Sequence, residues 1–539
     1  MLFAAHGGLH QRMGKCAKEP RLLSVAETMA RQQREISVSE FFTKNRHLLG
    51  FDNPRKALLT AIKEGVDNSL DACEEAKILP EVDVVVQQVN GDERFRIVVE
   101  DNGPGIVRSQ IPRIFGSLLY GSKFHRLKMA RGQQGIGISA AGMYGQLTTG
   151  KPIVVTSRTT PNKPAHYYEI QIDTQKNQPR IVCEDEKADW TRPTGTRVEI
   201  ELEAKYLKGR QSVDEYLELT ALANPHLALR YVTPQGEEVR YERSTEELPP
   251  EPREIRPHPH GIELGMLINM LHATRSRTLK AFLCGDFSRV SPRVADVILE
   301  KAGLAENARP SRIARDEAET LLKALRETKI MNPPTDCIAP IGQERIIERL
   351  RALIEADFYT AVTRPPTVYR GNPFQIEVGL AYGGSLPSDQ AVRLLRFANR
   401  VPLLYQQSAC AFARATASIA WRHYGLQQQN GSLPVGPMVM FVHIASVWVP
   451  FTSESKEAIA HYPEILREIR LALQYCGRQL GRYVRRERRM ADALKKKSYI
   501  ESYIPHIGEA LKNILALSEA ERGKVEGNLK EILERSRGI

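Results

Sequence analysis

The sequence predicts a multidomain α/β (α+β) protein: an α/β sandwich, a small all-helical module, and a second α/β domain with a long C-terminal helix. Three observations predict this fold class. The 539 residues exceed what one ordinary core accommodates. Helix and strand patterns alternate before residue 250 and again after residue 333, whereas residues 257–330 carry only helix signals. A long helical pattern then begins at Pro463 and is expected to break at Pro505.

These changes of pattern divide the chain into five expected regions. The internal boundaries fall where mixed patterning gives way to purely helical patterning and where it returns. The regions are an N-terminal extension with little predicted order at 1–36, the sandwich at 37–250, the helical module at 251–332, the second α/β domain at 333–480, and a basic helix with further C-terminal helices at 481–539.

Within the sandwich, the first helix has the clearest start signal. Asn53 is a typical capping residue and Pro54 suits the first turn, so a helix is expected from about Pro54 to Lys77. The other sandwich elements are expected as strands at 82–89, 94–100, 152–158, 166–173 and 196–203, and as short helices at 109–115 and 136–144.

The later regions are predicted from capping residues and periodicity in the same way. Helices are expected in the helical module at 261–272, 277–284, 292–302 and 311–328. The second α/β domain is expected to hold strands at 374–381 and 436–449 and helices at 343–355, 388–398 and 410–421, with final helices at 506–517 and 519–536.

Composition excludes some classes of protein. No apolar run reaches the ~20 residues that a membrane-spanning helix needs, and the N-terminus is too weakly apolar for a signal peptide. The seven cysteines are scattered without a C-x-x-C pair, which argues against a disulfide framework or a zinc ribbon and suits a reducing cytoplasm. The net charge of +12 favours a polyanionic partner only mildly.

Residues 64–139 carry the chemistry. Glu64 and Asn68 lie one helical turn apart, where a carboxylate can accept a proton from water and an amide oxygen can ligate magnesium. On its own, such a pair is more often a solvated helix face. Asp101 opens the turn D-N-G-P-G-I, in which Gly103 and Gly105 let the backbone approach a ligand closely. Its carboxylate can accept a hydrogen bond from an amine such as adenine N6, although an isolated motif of this kind would be a tight turn.

The segment R131-G-Q-Q-G-I-G opens a helix. Closely spaced glycines and a helix N-terminus present N–H groups to phosphate. The pattern is neither a Walker motif nor a dinucleotide-binding fingerprint. Lys123 can neutralise phosphate charge, although a lone lysine is more often a surface residue. The occurrence of all these elements in one short stretch predicts a magnesium–nucleotide pocket.

These motifs carry a family resemblance. E-x-x-D-N, D-N-G-x-G-I and a glycine-rich lid resemble the Bergerat-fold (GHKL) ATPases, which include gyrase B, Hsp90, MutL and histidine kinases. Y120-GSKFH, N332-PPTDCIAPIG, Y369-RGNPFQIEVGLAYGG and V449-PFTSESKEAIA resemble the B subunits of DNA topoisomerase VI, a type IIB topoisomerase. The resemblance covers roughly residues 37–480.

The resemblance implies a role for each site residue. Glu64 would be the general base, Asn68 the Mg²⁺ ligand and Asp101 the adenine-binding residue. Lys456, from the second α/β domain, would reach the γ-phosphate of ATP. The other residues implied to contact the nucleotide are Gly103, Gly105, Ser122, Lys123, Gly132, Gln133, Gln134, Gly135, Ile136, Gly137, Ile138 and Ser139.

The resemblance also implies the wider architecture. The helical module would be a helix-two-turns-helix domain, and the second α/β domain a transducer resembling ribosomal protein S5. Two copies would dimerise through their ATPase domains, with residues 37–51 exchanged, inside a heterotetramer with two A subunits. This enzyme would relax and decatenate double-stranded DNA by ATP-gated duplex passage. The sequence shows no D-x-D cluster and no recognisable catalytic tyrosine, so cleavage is expected on the A subunit.

Some alternatives stay open on sequence grounds. The chain resembles in part a MutL-like or Hsp90-like ATP-dependent clamp, and a non-hydrolysing DNA-repair or recombination scaffold would share its fold. Residues 478–497 carry nine basic and two acidic side chains. They predict either a helix that follows DNA phosphates or a solvated stalk leading to the A subunit. A cytoplasmic, nucleoid-associated location is expected.

Overall fold

The computed structural model describes residues 29, 33 and 35–535, except 90, 92, 122–125, 133–134, 189 and 454. Within these residues, no helix combines the length and apolar character needed to cross a bilayer. The predicted fold class is confirmed: two α/β units flank an all-helical module, and a long helix follows. The proposed domain boundaries stay predictions.

The N-terminal unit is a sheet of eight strands covered by helices on one face. The strand order is β5-β4-β3-β6-β2-β1-β7-β8, and all neighbours are antiparallel except β1 and β7. The strands are β1 (Glu81–Gln88), β2 (Arg94–Asp101), β3 (Ile153–Arg158), β4 (Ala165–Asp173), β5 (Gln178–Lys187), β6 (Gly195–Glu203), β7 (Ala228–Val232) and β8 (Glu238–Tyr241). The helices are α1 (Val38–Lys44), α2 (Pro54–Glu75), α3 (Ile111–Gly116), α4 (Gly137–Thr149) and α5 (Val213–Ala223). The sequence did not predict β5, β7, β8 or α5.

Helix α2 forms where its capping signal predicts it. The Asn53 side chain accepts a hydrogen bond from Lys56 N at 2.9 Å, and Pro54 begins the first turn. Its apolar stripe is at most 1% exposed and consists of Leu58, Ile62, Val66, Leu70 and Cys73. The stripe packs on the sheet, and Gly65 lies directly against Val99 of β2. Because Glu64 and Asn68 flank this stripe, they are held at the carboxyl end of β2.

Residues 37–51 pack on their own sandwich. Ser39 is fully buried and its hydroxyl donates to Asn177 Oδ1 at 2.9 Å. Phe51 stacks on Tyr144, with ring centroids 4.9 Å apart. Exchange of this segment with a second copy would require these contacts to break, and it stays a prediction.

The helical module has a core of its own. Helices α6 (Leu264–Ala273), α7 (Leu279–Asp286), α8 (Pro292–Ala302) and α9 (Arg315–Glu327) surround it. Ser291 caps α8 as its position before Pro292 predicts, and its hydroxyl accepts from Val294 N. The all-helical prediction for this region, which was based on the absence of strand patterns, is therefore confirmed.

The second α/β unit contains a six-stranded sheet in the order β10-β11-β14-β12-β13, with β9 paired to β11. The strands are β9 (Phe358–Thr363), β10 (Thr367–Tyr369), β11 (Asn372–Tyr382), β12 (Arg393–Ala398), β13 (Val401–Pro402) and β14 (Met438–Ser446). The helices are α10 (Gln343–Leu353), α11 (Ala411–Ala417), α12 (Pro463–Leu515) and α13 (Glu519–Arg535).

Two helix predictions in this part of the chain are wrong. Residues 388–398 do not form a helix, since 393–398 make strand β12, which pairs in parallel with β14. Pro505 does not end the long helix, because α12 continues through it to Leu515. Its last turns pack against α13, where Gly508 meets Glu526 and Ile504 is 2% exposed. This packing offsets the hydrogen bond that proline removes.

The two α/β units share a hydrophobic interface. Leu219 and Leu222 of α5 pack with Leu350 of α10, and with Phe397 and Phe441 of the second sheet. This interface places the second unit beside the carboxyl end of β2 in the first unit, where the cavity described below opens.

Candidate functional site

A cavity of about 300 Å³ opens at the carboxyl end of β2, and both α/β units contribute to its wall. It brings together most of the predicted site residues. Those lining it are Glu64, Asn68, Asp101, Gly105, Gly132, Gly135, Ile136, Gly137, Ile138 and Lys456. Gly103 and Ser139 support the cavity without lining it. The predicted residues Ser122, Lys123, Gln133 and Gln134 lie outside the described residues.

Glu64 reaches from α2 to the first turn of α4. A Cβ built on Gly137 would lie 1.7 Å from Glu64 Oε2, so this close approach requires glycine. Lys63 Nζ lies 3.9 Å from Glu64 Oε1, and 21% of the Glu64 side chain is exposed. The carboxylate therefore borders the cavity, where it can accept a proton from water.

Asn68 lines the same wall one helical turn after Glu64. Among the described residues, no group of three or more histidine, cysteine, aspartate or glutamate side chains could hold a metal ion. An amide oxygen is nevertheless a suitable ligand for Mg²⁺, which commonly takes few protein ligands and completes its shell with phosphate and water. The donor set around Asn68 fits a magnesium ion that is bound mainly through a nucleotide.

Asp101 forms the buried floor of the cavity. Its Oδ1 accepts from Gly103 N at 2.9 Å and Thr196 N at 3.1 Å, and its Oδ2 accepts from Ser69 Oγ at 2.8 Å. Burial raises the pKa of this carboxyl, and the three hydrogen bonds oppose that shift. The donors fix the carboxyl in one orientation, and the lone pair left on Oδ2 can accept from an exocyclic amine.

The D-N-G-P-G turn lies close to strand β3. Gly105 has φ +72°, and a Cβ there would lie 2.1 Å from the carbonyl oxygen of Arg158. Ile106 N donates to Ser157 Oγ at 2.8 Å, which anchors the end of the turn. Only glycine allows this backbone position, and the turn keeps the cavity open beside Asp101.

The glycine-rich loop leads into the N-terminus of α4. Ile136 occupies the capping position, and no side chain of the described residues caps this helix. Ser139 is fully buried and its hydroxyl donates to the Ile136 carbonyl at 3.1 Å, so it holds the turn from behind. An uncapped thirteen-residue helix that begins at the cavity wall offers N–H groups and a positive dipole end to an anion.

Lys456 reaches the cavity from the loop after β14. It has φ +53°, an uncommon backbone conformation for a side chain of this size, and Lys456 N donates to Ser453 O at 3.1 Å. Burial lowers the pKa of its ammonium group, and the carboxylates of Glu64 and Asp67 oppose that shift. The structure thus brings Lys456 to the wall that holds Glu64, although the two residues are far apart in the sequence.

The structure adds an anchor for this loop that sequence reasoning missed. Lys56 Nζ lies 2.5 Å from Glu457 Oε1 and 2.9 Å from Asp52 Oδ1. The Lys56 and Glu457 side chains are only 12% and 8% exposed, and Lys56 also lies over the Tyr405 ring. The pair ties α2 to the residue next to Lys456. No local signal predicts it, because each partner has the appearance of an ordinary surface charge.

Ser69 and Thr196 were also missed, although both orient Asp101. Ser69 directly follows Asn68 in the sequence. A second polar side chain next to a predicted site residue could have indicated that Ser69 belongs to the same site. Thr196 follows Gly195, whose Cβ would lie 2.0 Å from the Asp101 carbonyl oxygen. A glycine between two threonines at the start of a strand marks such a close approach.

This fold and cavity define an ATPase of the type found in histidine kinases, gyrase B and HSP90. The family model described as "Histidine kinase-, DNA gyrase B-, and HSP90-like ATPase" matches residues 53–205. A second model, "Topoisomerase VI B subunit, transducer", matches residues 333–496. The first match contains α2 and the glycine-rich loop, and the second contains the loop of Lys456.

Curated relatives extend these matches over most of the chain. The B subunit of type 2 DNA topoisomerase 6 from Methanococcoides burtonii is 50% identical over 492 residues, which are 91% of this chain and 79% of the relative. The corresponding protein of Archaeoglobus fulgidus is 50% identical over 488 residues, covering 90% and 80%. That of Methanosarcina acetivorans is 48% identical over 494 residues, covering 92% and 79%.

The chain therefore belongs to the family of type 2 DNA topoisomerase 6 B subunits. This confirms the family resemblance and the enzyme class, an ATP-dependent DNA topoisomerase subunit. The ATPase model also confirms ATP as the nucleotide class. The alternatives of a MutL-like or Hsp90-like clamp and of a non-hydrolysing scaffold are not favoured by these matches.

Proposed function

We propose that the cavity binds and hydrolyses Mg²⁺–ATP, and that hydrolysis gates duplex passage by a type IIB topoisomerase. The observation that carries this proposal is the meeting of Glu64, Asp101 and Lys456 in one cavity built by two α/β units. Each of these side chains alone has an ordinary structural explanation. Together they supply an amine acceptor, a proton acceptor and a cation around a space suited to a nucleotide.

The residue roles follow from position. Asp101 accepts a hydrogen bond from the adenine amine while Ser69 and Thr196 hold its carboxyl. The first N–H groups of α4 donate to the phosphates. Glu64 takes a proton from the attacking water, and Gly137 permits its approach. Asn68 would hold the Mg²⁺ ion, which neutralises phosphate charge when bound.

Lys456 reports the state of the γ-phosphate to the second α/β unit. Burial disfavours the charged form of its ammonium group. A phosphate close to the ammonium offsets this effect and stabilises the charged form. When the γ-phosphate departs, that interaction is lost and the loop of Lys456 is released. The Lys56–Glu457 pair transmits the same change to α2.

The partners proposed for this chain follow from its family. Two copies close over ATP through their sandwiches, and two A subunits complete a heterotetramer that carries the cleavage chemistry. In this proposal the ATPase sandwich occupies residues 37–250, the helical module 251–332 and the transducer 333–480. Duplex DNA is the substrate, and a nucleoid-associated location follows from it.

The basic helix is a proposed DNA contact. Four arginines near the middle of α12 are exposed: Arg485, Arg486, Arg488 and Arg489. Val484 still packs on the second α/β unit, at 7% exposure, so the helix leaves the body of the protein at this point. Neutralising the four arginines should reduce the salt dependence of DNA binding if they contact phosphate. An unchanged salt dependence leaves only the role of a stalk.

The proposal is tested by ATP turnover of the chain with its A subunit and DNA. We expect Glu64→Ala to abolish hydrolysis and Lys456→Ala to reduce hydrolysis while ADP binding persists. Glu203→Ala, an exposed glutamate on β6, is the matched control and should hydrolyse ATP normally. Turnover that does not depend on Glu64 would overturn the assignment of the catalytic base.

A further inference from the structure

The glycine-rich loop begins at a buried charged cluster, the root of the loop, whose side chains do not line the nucleotide cavity. Arg131, the first residue of this loop, has a side chain only 4% exposed. Its Nη1 lies 3.0 Å from Asp71 Oδ1, and its Nη2 lies 2.6 Å from Glu74 Oε1. Nη2 also donates to Asn224 Oδ1 at 2.6 Å. Asp71 and Glu74 belong to α2, the helix that carries Glu64.

The second α/β unit reaches the same root through Arg400, in the turn between β12 and β13. Arg400 Nη1 lies 3.8 Å from Glu74 Oε1, the oxygen that also contacts Arg131. Its Nη2 donates to the carbonyl oxygens of Ala339 and Pro340 at 3.1 and 3.3 Å. The Arg400 side chain is 4% exposed, so one glutamate bridges two buried guanidinium groups from different units.

Asn399, the neighbour of Arg400, is hydrogen-bonded directly to the start of the loop. Its side-chain amide donates to the carbonyl oxygen of Ala130, the residue before Arg131, at 2.9 Å. The same amide group is fixed from behind, since it donates to Ser446 O and its Oδ1 accepts from Ser446 N, both at 2.9 Å. The backbone of the loop root is therefore hydrogen-bonded to a side chain that β14 holds in place.

The turn adopts an uncommon backbone conformation to make these contacts. Asn399 has φ +48° and Arg400 has φ +67°, so two consecutive non-glycine residues are left-handed. Asparagine tolerates this region, whereas an arginine there persists only where surrounding contacts enforce it, often at functional sites. Behind the turn, Arg400 N donates to His443 Nε2 at 3.0 Å, and His443 Nδ1 lies 2.8 Å from Glu377 Oε2.

Another buried arginine at the interface of the two α/β units can be compared with the Asn399–Arg400 turn. Arg349 of α10 is also buried, and its Nη2 donates across the interface to the carbonyl oxygen of Ala221 at 2.9 Å. That contact docks the two units without touching the glycine-rich loop. Docking alone therefore does not account for a turn in which Asn399 contacts Ala130 and Arg400 lies near Glu74, the ion-pair partner of Arg131.

We propose that Asn399 and Arg400 are positioning residues for the nucleotide lid. They hold the root of the loop that bears Gly132 and Gly135, so the lid and the second α/β unit move together. Asn399 and Lys456 line one small cavity, but of these two residues Lys456 alone also lines the nucleotide cavity, so their proposed roles differ. The inference rests on the proposed function, because it takes the loop that lines the cavity as the lid over ATP.

The test is how long the closed lid retains a nucleotide. The probe is a fluorescent, non-hydrolysable ATP analogue bound to the full chain assembled with its A subunit, and the readout is its dissociation rate after a chase with ATP. We expect Arg400→Met to release the analogue about tenfold faster, within the usual range of coupling between sites. Arg400→Lys, which keeps the charge, should restore part of the retention. Arg349→Met, the matched control, should release the analogue at the wild-type rate.

A second variant keeps the test decisive if Arg400→Met fails to fold. Asn399→Gly accepts the left-handed backbone. It removes the side-chain hydrogen bond to Ala130 together with the two to Ser446, and it should also speed release. Wild-type release rates in both folded variants, or equal acceleration by Arg349→Met, would overturn the positioning role. If the wild-type assembly binds no analogue at all, the proposed ATP function fails instead, so the two failures are distinguishable.

Discussion

Replacing Gly137 by alanine tests whether the position of Glu64 determines ATP hydrolysis. The backbone at Gly137 is helical and tolerates any residue, so alanine introduces only its methyl group. That methyl carbon would lie 1.7 Å from Glu64 Oε2, 2.1 Å from Cδ and 2.7 Å from Cγ. The whole Glu64 carboxyl must therefore leave its place beside the helix N-terminus.

The size of the effect follows from these distances. Non-bonded atoms pack at ~3.5–4.0 Å, so the carboxylate has to retreat by about 1.5–2 Å. A misplacement of ~1 Å at a reacting group can lower a rate by about 100-fold, which equals ~2.7 kcal/mol of activation free energy. The free energy of unfolding should change by less than ~1 kcal/mol, because the displaced atoms end a flexible, partly exposed side chain.

The assay compares steady-state ATP hydrolysis with thermal unfolding of the same preparations. Gly142→Ala is the matched control on the same helix, since its Cβ would only meet Ile153 Cδ1 at 3.1 Å. We expect Gly137→Ala to lose at least about 100-fold in turnover with little change in melting temperature. A folded Gly137→Ala protein with turnover near the Gly142→Ala value would refute the reasoning that Glu64 acts from this position.

Two further predictions concern the buried polar contacts around the cavity. Burial lowers the pKa of His443 below its ordinary value of 6.5, so the unfolded chain binds the proton first as the pH falls. The free energy of unfolding should therefore decrease below pH 6.5, by up to ~1.4 kcal/mol per pH unit for this group, and His443→Gln should remove that share of the slope in denaturant titrations at several pH values. An unchanged slope would contradict a neutral buried His443. For the Lys56–Glu457 pair, a double-mutant cycle with Lys56→Met and Glu457→Met should give a coupling energy of at least ~1 kcal/mol. Lys56→Met leaves the buried Glu457 carboxylate without Lys56, whereas Glu457→Met leaves Lys56 paired with Asp52. Additive effects on stability would mean that the pair does not anchor the loop of Lys456.

Local patterns were enough to predict which residues of one stretch lie together at the cavity. Asn53 and Pro54 begin α2 where the capping rules place them, and the periodicity of that helix sets Glu64 and Asn68 on one wall. Helix spacing is a geometric constraint, so it transfers directly from sequence to structure. Lys456 was different, because only the family resemblance connected it to the cavity.

Strand β12 shows how a local pattern misleads. Residues 388–398 place apolar and basic side chains at helix-like spacing, yet Leu395 and Phe397 enter one core while Leu394 and Ala398 enter another. Arg396 lies between them at 2% exposure, and a polar residue in a strand buried on both faces gives no alternation to detect. Tertiary pairing with β14 decides the structure there.

The contacts at the root of the lid could not be predicted from sequence. Arg400 is far from both Glu74 and Arg131 along the chain, and each of the three has the appearance of an ordinary surface charge. Their burial depends on two sheets meeting at one interface. Such contacts can be identified only when the fold is known.

The role of Glu64 in ATP-driven strand passage is tested most directly by relaxation of a supercoiled plasmid by the chain assembled with its A subunit. We expect ATP-dependent changes in linking number with the wild-type chain and normal relaxation with Glu203→Ala. With Glu64→Ala we expect at most the single strand passage that nucleotide binding alone allows. Multiple turnovers of relaxation by the Glu64→Ala assembly would contradict this role, because strand passage would then proceed without the proton acceptor in this cavity.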